Sequence, residues 1–293
     1  MEKLKIKILA LSCSNRLNSD IAWMCQYALK IVEKFGRRVS EVAEYETEFI
    51  DLADKDLKPC LNCNRRPCTL GGGRNWEGEL LPCKPCPIKD YHQELGPKIQ
   101  KADGLIIGAP TSLGTYNSRF RLLWEALSRG REMLFGEHWL QHNNRLPVGV
   151  LTCADEGPGA GVETCLNDLN TTVRFIETMP VSMAHGAWLL RNPSWRQVPE
   201  GGPYTVKNNR DSLRWLFSMS RRVAEYALML KLTKTVLGDV YKREFMGRYH
   251  EPWGADETWA WRRLDKEDEE YMMNLPIENL PVETKLPKRR KVK

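Results

Sequence analysis

The sequence lacks a long apolar segment, and this absence limits the kinds of protein that it can encode. No run approaches the about 18 apolar residues that a membrane-spanning helix requires. The apolar stretch within residues 1–11 is short and continues into folded sequence, which is not the pattern of a cleavable signal peptide. We therefore expect a cytoplasmic protein without a membrane partner, in a compartment where thiols stay reduced.

Most of the excess positive charge lies at the C-terminus. The formal net charge is +6, but residues 288–293 contribute five basic side chains, and +1 remains without them. A nearly neutral folded part does not favour nucleic acid as a partner. The terminal PKRRKVK resembles a nuclear localisation signal, but a short basic tail is more often simply solvated.

Cysteine, by contrast, is concentrated in one place. Five of the nine cysteines form a Cys-x-x-Cys pair (Cys60, Cys63), a lone Cys68 and a second pair (Cys83, Cys86). The segment between them is rich in Gly, Pro and Arg, so it predicts no periodic helix or strand that would bury cysteines as packing. The spacing therefore predicts thiolate ligands. With 19 residues between the pairs, a four-thiolate zinc site fits at least as well as an iron-sulfur cluster.

Short apolar runs alternate with helical patterns along the chain. The predicted strands are Lys5–Leu11, Glu48–Leu52, Gly104–Ala109, Pro147–Thr152 and Val181–Leu190. The predicted helices are Ile21–Phe35, Tyr91–Ala102, Arg121–Arg129, Val162–Thr178 and Asp211–Thr233. This alternation predicts an α/β fold with a doubly wound five-stranded parallel sheet. Ligands of such sheets bind beyond the carboxyl ends of the strands.

Three polar loops follow predicted strands at that edge. The first, SCSNRLNSD, precedes a helix, so its backbone N–H groups and the helix dipole would suit a phosphate; a capped turn without a ligand is the alternative. It contains no glycine, unlike a dinucleotide-binding loop. The second is APTSLGTYNSRF. The third, CADEGPGAGVET, carries three glycines, which indicates a backbone that bends sharply or approaches a ligand closely.

These segments resemble the flavodoxin-like NAD(P)H-dependent FMN reductase superfamily and, within it, the iron-sulfur flavoproteins. The resemblance is carried by ILALSCSNRLNS, GAPTSLGTYNSRFRLLWEAL, TCADEGPGAGVET and the cysteine segment ending in CPIKDYHQELGPKIQKADGLIIGAPT. It covers residues 3–233. It implies a flavodoxin-like fold and a flavin-dependent oxidoreductase whose FMN is held by the three loops.

The resemblance also implies which residues bind FMN, one group in each loop. The phosphate group would contact Ser12, Ser14, Arg16, Asn18 and Ser19. The isoalloxazine would be lined by Pro110, Thr111, Ser112, Leu113, Gly114 and Thr115. Residues near the flavin edge would be Ala154, Asp155, Gly157 and Gly161. Among the other cysteines, Cys153 is a candidate cofactor contact, whereas Cys13, Cys25 and Cys165 are expected to be buried thiols.

A 4Fe-4S cluster is the metal centre that the resemblance implies. Family members commonly carry C-x-x-C-x-x-C followed closely by a fourth cysteine, whereas here a 14-residue insert separates Cys68 from Cys83. We expect Cys60, Cys63, Cys83 and Cys86 to be the ligands, because two pairs can close around one centre, with Cys68 as the alternate. Structural zinc is the alternative metal.

The implied function is electron transfer between the 4Fe-4S cluster and FMN, which reduces a small-molecule acceptor or a ferredoxin-like redox partner. The alternatives are an NAD(P)H-dependent flavin or quinone reductase with a structural zinc site, and a non-catalytic electron carrier. We predict an FMN-binding domain over residues 1–235, with the cluster loop 58–90 inserted, and a C-terminal arm over residues 236–293. Family members are typically dimers or tetramers, so we expect a homodimer or homotetramer with the arm at the interface.

Overall fold

The chain folds into alternating strands and helices. The computed structural model describes residues 3–61, 87–133, 146–154, 161–174, 179–181 and 210–241. The strands are β1 Leu4–Ser12, β2 Ala43–Asp51, β3 Gly104–Gly108, β4 Thr111–Ser112, β5 Thr115–Tyr116, β6 Pro147–Leu151 and β7 Met179–Pro180. The helices are α1 Asp20–Arg38, α2 His92–Gln100, α3 Ser118–Met133, α4 Val162–Arg174 and α5 Arg210–Leu237.

Five of these strands form one parallel sheet in the order β2-β1-β3-β6-β7. Numbered along the chain, this is the 2-1-3-4-5 order of flavodoxin-type sheets, whose strand order reverses between the first and third strands. The predicted flavodoxin-like, doubly wound five-stranded parallel sheet is confirmed. The strand order also locates the edge at which a ligand would bind, because β1 and β3 end side by side with Ser12 opposite Gly108.

The core explains why the central strands read as continuous apolar runs. In β1, Ile6, Ile8 and Leu9 are all fully buried, although they alternate between the two faces of the sheet. One hydrophobic layer joins the sheet to α1 and α5, and the other joins it to α2, α3 and α4. Each face of the sheet is therefore covered by helices.

Two strand glycines let α5 lie close to the sheet. A Cβ atom at Gly104 would lie 2.8 Å from Ile8 Cδ1 and 3.0 Å from Val223 Cγ1 of α5. A Cβ at Gly149 would collide with the Met219 side chain of the same helix. The absence of side chains at these two positions therefore sets the distance between α5 and the strands β3 and β6.

Two predicted strands differ from the observed ones. β2 begins at Ala43, before the predicted start at Glu48, because an edge strand with alternating charged residues lacks the apolar run of a central strand. The fifth strand is Met179–Pro180, and Val181 follows it as a buried residue outside the strand. The rest of the predicted fifth strand lies outside the described residues, as do most of the cysteine loop (62–86) and of the arm (242–293). None of the helices in the described part of the chain combines the length and apolarity needed to cross a bilayer.

Candidate functional site

A cleft of about 410 Å³ lies at the carboxyl edge of the sheet, where loops after β1, β3 and β6 meet. These three loops are the polar loops singled out in the sequence. The cleft is lined by Ser14, Arg16, Ser19, Asp20, Ile21, Pro110, Thr111, Leu113, Gly114, Cys153 and Ala154. All three loops therefore contribute to one site.

The first loop is fixed to the sheet immediately beyond β1. Cys13 N donates to Gly108 O at 2.7 Å, and Ser12 O accepts from Leu52 N at 2.9 Å. Ser14 is buried, and its Oγ accepts from Arg16 N at 3.1 Å, which closes a tight turn without glycine. Ser12 is fully buried, and its Oγ has no hydrogen-bond partner within the described residues.

The end of this loop is the N-terminus of α1, which faces the cleft. Ser19 is the N-cap, and its Oγ accepts from Ala22 N at 3.2 Å. Asn18 adopts a left-handed conformation (φ 51°), so the chain turns there into the helix. Arg16 and Asp20 place opposite charges on the cleft wall. The helix dipole and Arg16 favour an anion here, whereas the carboxylate of Asp20 opposes one.

The second loop is a hairpin of β4 and β5, which the sequence did not predict. Thr111 pairs with Tyr116 and Ser112 with Thr115. Leu113 and Gly114 form the turn with positive φ angles of 50° and 82°, as in a type I′ turn. Leu113 is fully exposed at the tip. The hairpin thus extends an apolar side chain over the rim of the cleft.

Hydrogen bonds and one backbone contact tie the hairpin to the third loop. Thr111 N donates to Cys153 O at 2.9 Å, and the Thr111 and Thr152 hydroxyls lie 3.0 Å apart. Gly161 has a φ of 80°, and a Cβ there would lie 2.5 Å from Gly114 Cα. A glycine at position 161 therefore lets the two backbones approach this closely. The second and third loops therefore form one packed unit.

The structure brings most of the predicted residues together. Eight line the cleft: Ser14, Arg16, Ser19, Pro110, Thr111, Leu113, Gly114 and Ala154. Five belong to the same loops but do not line it: Ser12, Asn18, Ser112, Thr115 and Gly161. Thr115 instead donates its hydroxyl to Asp168 Oδ2 of α4 at 2.7 Å. Asp155 and Gly157 lie outside the described residues.

Sequence reasoning missed Asp20 and Ile21, although it anticipated Cys153. Both missed residues belong to the first turn of α1 and line the cleft. The N-cap signal at Ser19 could have found them, because the first turn after an N-cap faces whatever the helix terminus binds.

Burial keeps the thiols around this site protonated. Desolvation raises the pKa of Cys13 far above its usual value, and Asp51 adds to the rise while Arg119 opposes it. Desolvation also raises the pKa of Cys25 well above the usual range. The Cys165 thiol, 3.4 Å from Thr152 Oγ1, has a raised pKa for the same reason. All three are buried as expected and remain neutral thiols near pH 7.

Hydrogen bonds close the base of the cysteine loop. Tyr91 N donates to Asp56 O at 2.9 Å, and Lys58 N donates to Asp90 Oδ2 at 2.9 Å. Asp90 is buried with His92, whose Nδ1 lies 2.7 Å from the same carboxylate oxygen. The chain therefore leaves and re-enters the fold at one point.

The proposed metal ligands mostly lie beyond that base. Cys60 is partly buried, whereas Cys63, Cys68, Cys83 and Cys86 lie outside the described residues. Within the described ranges, no three His, Cys, Asp or Glu side chains are grouped as a metal site would require.

The chain is similar to known proteins in sequence and in fold. Residues 6–187 match the family model described as NADPH-dependent FMN reductase. An iron-sulfur flavoprotein of Methanocaldococcus jannaschii is 28% identical over 165 residues, which cover 56% of this chain and 70% of the relative. A crystal structure of RosB with a bound 8-demethyl-8-formylriboflavin-5'-phosphate intermediate is 18% identical, with a TM-score of 0.57 over 98% of each chain. That likeness shows the fold.

The family match spans most of the chain and includes all three loops that form the cleft. The resemblance noted from the loop motifs is thereby confirmed. The chain belongs to the NADPH-dependent FMN reductase family and is a flavin-dependent oxidoreductase with FMN as its cofactor.

Proposed function

We propose that this protein is an FMN-dependent oxidoreductase of the iron-sulfur flavoprotein type. Electrons pass between a 4Fe-4S cluster in the cysteine segment and FMN in the cleft, and they reduce a small-molecule acceptor or a ferredoxin-like protein. FMN supplies the interconversion of one-electron and two-electron chemistry. The protein supplies position, charge and protection from water.

One observation carries the proposal: the cysteine segment leaves the fold beside the first cleft loop. Leu52, the first residue after β2, donates its N–H to Ser12 O at 2.9 Å. Arg119 of α3 donates Nη1 to Leu52 O at 2.5 Å and to Lys55 O at 2.9 Å, which fixes the chain on its way to Cys60. The segment that would hold the cluster therefore leaves the sheet at the same edge as the flavin loops.

The cleft offers a separate place for each part of FMN. Its phosphate suits the N-terminus of α1 with Ser14, Ser19 and Arg16, where N–H groups, hydroxyls and a guanidinium converge. Its isoalloxazine suits the wall formed by Pro110–Gly114 and Ala154.

The proposed cluster ligands are Cys60, Cys63, Cys83 and Cys86, with Cys68 as the alternate. The similarity to an iron-sulfur flavoprotein supports iron over zinc. Thiolates suit both metals, so the ligand type alone does not choose between them.

Metal analysis of anaerobically purified full-length protein tests this proposal. We expect about four iron and four sulfide per chain, together with flavin absorption. One zinc per chain without sulfide would overturn the cluster. Single Cys→Ser variants form matched controls for one another: Cys60→Ser should abolish the cluster and Cys68→Ser should retain it. Loss of the cluster in Cys68→Ser but not in Cys60→Ser would mean that Cys68 is a ligand and Cys60 is the alternate.

We also propose that the protein is a homodimer or homotetramer. Met229, Leu232 and Val236 lie at i, i+3 and i+7 on α5 and are 59%, 45% and 72% exposed. An exposed apolar stripe of this kind is typical of an interface. The stripe ends where the predicted arm begins, which supports a role for the arm in the same contact.

A further inference from the structure

Asn117 is a buried polar residue between the hairpin and α3, and the sequence-based site did not include it. The residue is 4% exposed. Nδ2 donates to Cys13 O at 2.6 Å and to Asn15 Oδ1 at 3.3 Å, while Oδ1 accepts from Phe120 N at 3.3 Å. These partners fix the orientation of the amide, because a backbone N–H only donates and a carbonyl only accepts.

The oxygen and the nitrogen of this amide have different roles. Oδ1 caps the N-terminus of α3, since Phe120 N lies three residues later. Phe120 is fully buried, stacks on Trp124 at 5.5 Å and contacts Tyr116 edge to face at 4.6 Å. The cap therefore rests on a well-packed frame, and Nδ2 connects that frame to a loop about 100 residues earlier.

The bond from Nδ2 matters because the first loop supplies side chains of the cleft. These side chains include Ser14 and Arg16. Cys13 is held on both sides, because its N–H donates to Gly108 O and its carbonyl accepts from Asn117. Without Asn117, this carbonyl would lose its 2.6 Å partner, and the backbone before Ser14 would be held less tightly.

We infer that Asn117 is a positioning residue for the FMN phosphate. It fixes the backbone of Cys13 and the side chain of Asn15 so that Ser14 and Arg16 face the phosphate, and it does so from the loop that lines the isoalloxazine. The inference rests on the proposed binding of the phosphate by the first loop. It predicts that Asn117 affects the phosphate end of the cofactor and not the ring.

Comparison of FMN with riboflavin, which lacks the phosphate, tests this role. In Asn117→Ser the serine can still cap α3, since it is a good N-cap, but it is too short to reach Cys13 O. We expect FMN to bind about tenfold more weakly, from the loss of two neutral hydrogen bonds, with riboflavin affinity unchanged. Asn117→Asp keeps the length of the side chain and the cap of α3 but loses the N–H donor, so it should weaken FMN binding at least as much.

The measurement is flavin fluorescence on dilution of the full-length holoprotein, repeated after exchange of FMN for riboflavin. Asn167→Ser, the same change at an exposed position of α4, is the matched control. A loss that is equal for both flavins, or no loss in either Asn117 variant, would overturn the positioning role. Wild-type protein that binds FMN no better than riboflavin would instead overturn the proposed phosphate site.

Discussion

Arg16 is the residue whose charge most directly favours an anion in the cleft. Replacement by alanine should weaken FMN binding by roughly 10- to 100-fold, which corresponds to one charge-assisted contact of about 1.5–3 kcal/mol. Arg38→Ala, at the opposite end of α1, makes the same change in net charge and should leave binding unchanged. Flavin titration of both variants compares them. An unchanged dissociation constant for FMN in the Arg16 variant would show that Arg16 does not contact the phosphate.

The buried thiols make the stability of the protein depend on pH in the alkaline range. In the folded state the pKa of Cys13 and of Cys25 is raised by burial, whereas in the unfolded chain a thiol ionises near its usual pKa of about 8.5. Above that pH the folded state holds more protons, so the free energy of unfolding falls as pH rises, by about 1.4 kcal/mol per pH unit for each thiol. Below the usual thiol pKa, these thiols add no pH dependence to the free energy of unfolding.

Denaturant unfolding between pH 8.5 and 10 under reducing conditions measures this slope. In Cys13→Ala the slope should be shallower by about 1.4 kcal/mol per pH unit, which is the contribution of one proton. Other titrating groups, including the remaining cysteines, are common to both proteins and cancel in the comparison. Equal slopes would mean that the Cys13 thiol ionises alike in the folded and unfolded states.

At the scale of single residues, the sequence predicted Ser14 and Arg16, which line the cleft, and missed Asn117, which bonds the backbone of the first loop. Ser14 and Arg16 stand out because hydroxyls and a guanidinium before a helix suit a phosphate. Asn117 bonds Cys13 O, and the residues meet because β1 and β3 are neighbours in the sheet. Residue type alone does not reveal such a contact.

Among the elements, the contact between the second and third loops is the most sensitive to added volume. Gly161 and Gly114 both have positive φ, which disfavours alanine by about 1–2 kcal/mol. A Cβ at Gly161 would also lie 2.5 Å from Gly114 Cα, whereas one at Gly114 meets nothing within 4 Å among the described residues. Gly161→Ala should therefore lower the free energy of unfolding more than Gly114→Ala, and it should separate the loops.

Chemical denaturation and FMN titration of the two glycine variants provide the check. Gly114→Ala is the matched control, because it shares the conformational penalty and lacks the collision. Equal destabilisation of the two variants would show that the loops do not pack in this way.

The elements differ in how well the sequence predicted them. β3 and β6 are continuous apolar runs buried on both faces, and their predicted positions agree with the structure to within one residue. β2 lies at the edge of the sheet with charged residues at alternate positions, which shortened the predicted strand. The β4–β5 hairpin was missed because each strand has two residues, and its turn places Leu113 rather than glycine or asparagine at a positive φ.

For the whole molecule, the proposed assembly leads to a test by light scattering. We expect full-length protein to be a dimer or tetramer, and a chain ending after Gly238 to form a smaller assembly, because closed symmetry repeats the lost contact in every subunit. Leu232→Ser should weaken the assembly in the full-length chain, since it makes the exposed apolar stripe of α5 polar. Monomeric full-length protein would refute the oligomer. An unchanged oligomer after truncation would refute only the role of the arm.

The closed base of the cysteine loop also has an evolutionary consequence. The bonds from Tyr91 to Asp56 and from Lys58 to Asp90 join the two ends of the segment. Lengthening a loop whose ends already meet adds little entropy cost, about 0.6 kcal/mol for each doubling. Insertions and deletions in this segment can therefore accumulate without disturbing β2, α2 or the cleft. Related proteins could gain, lose or respace a metal module here while inheriting the same flavin-binding frame.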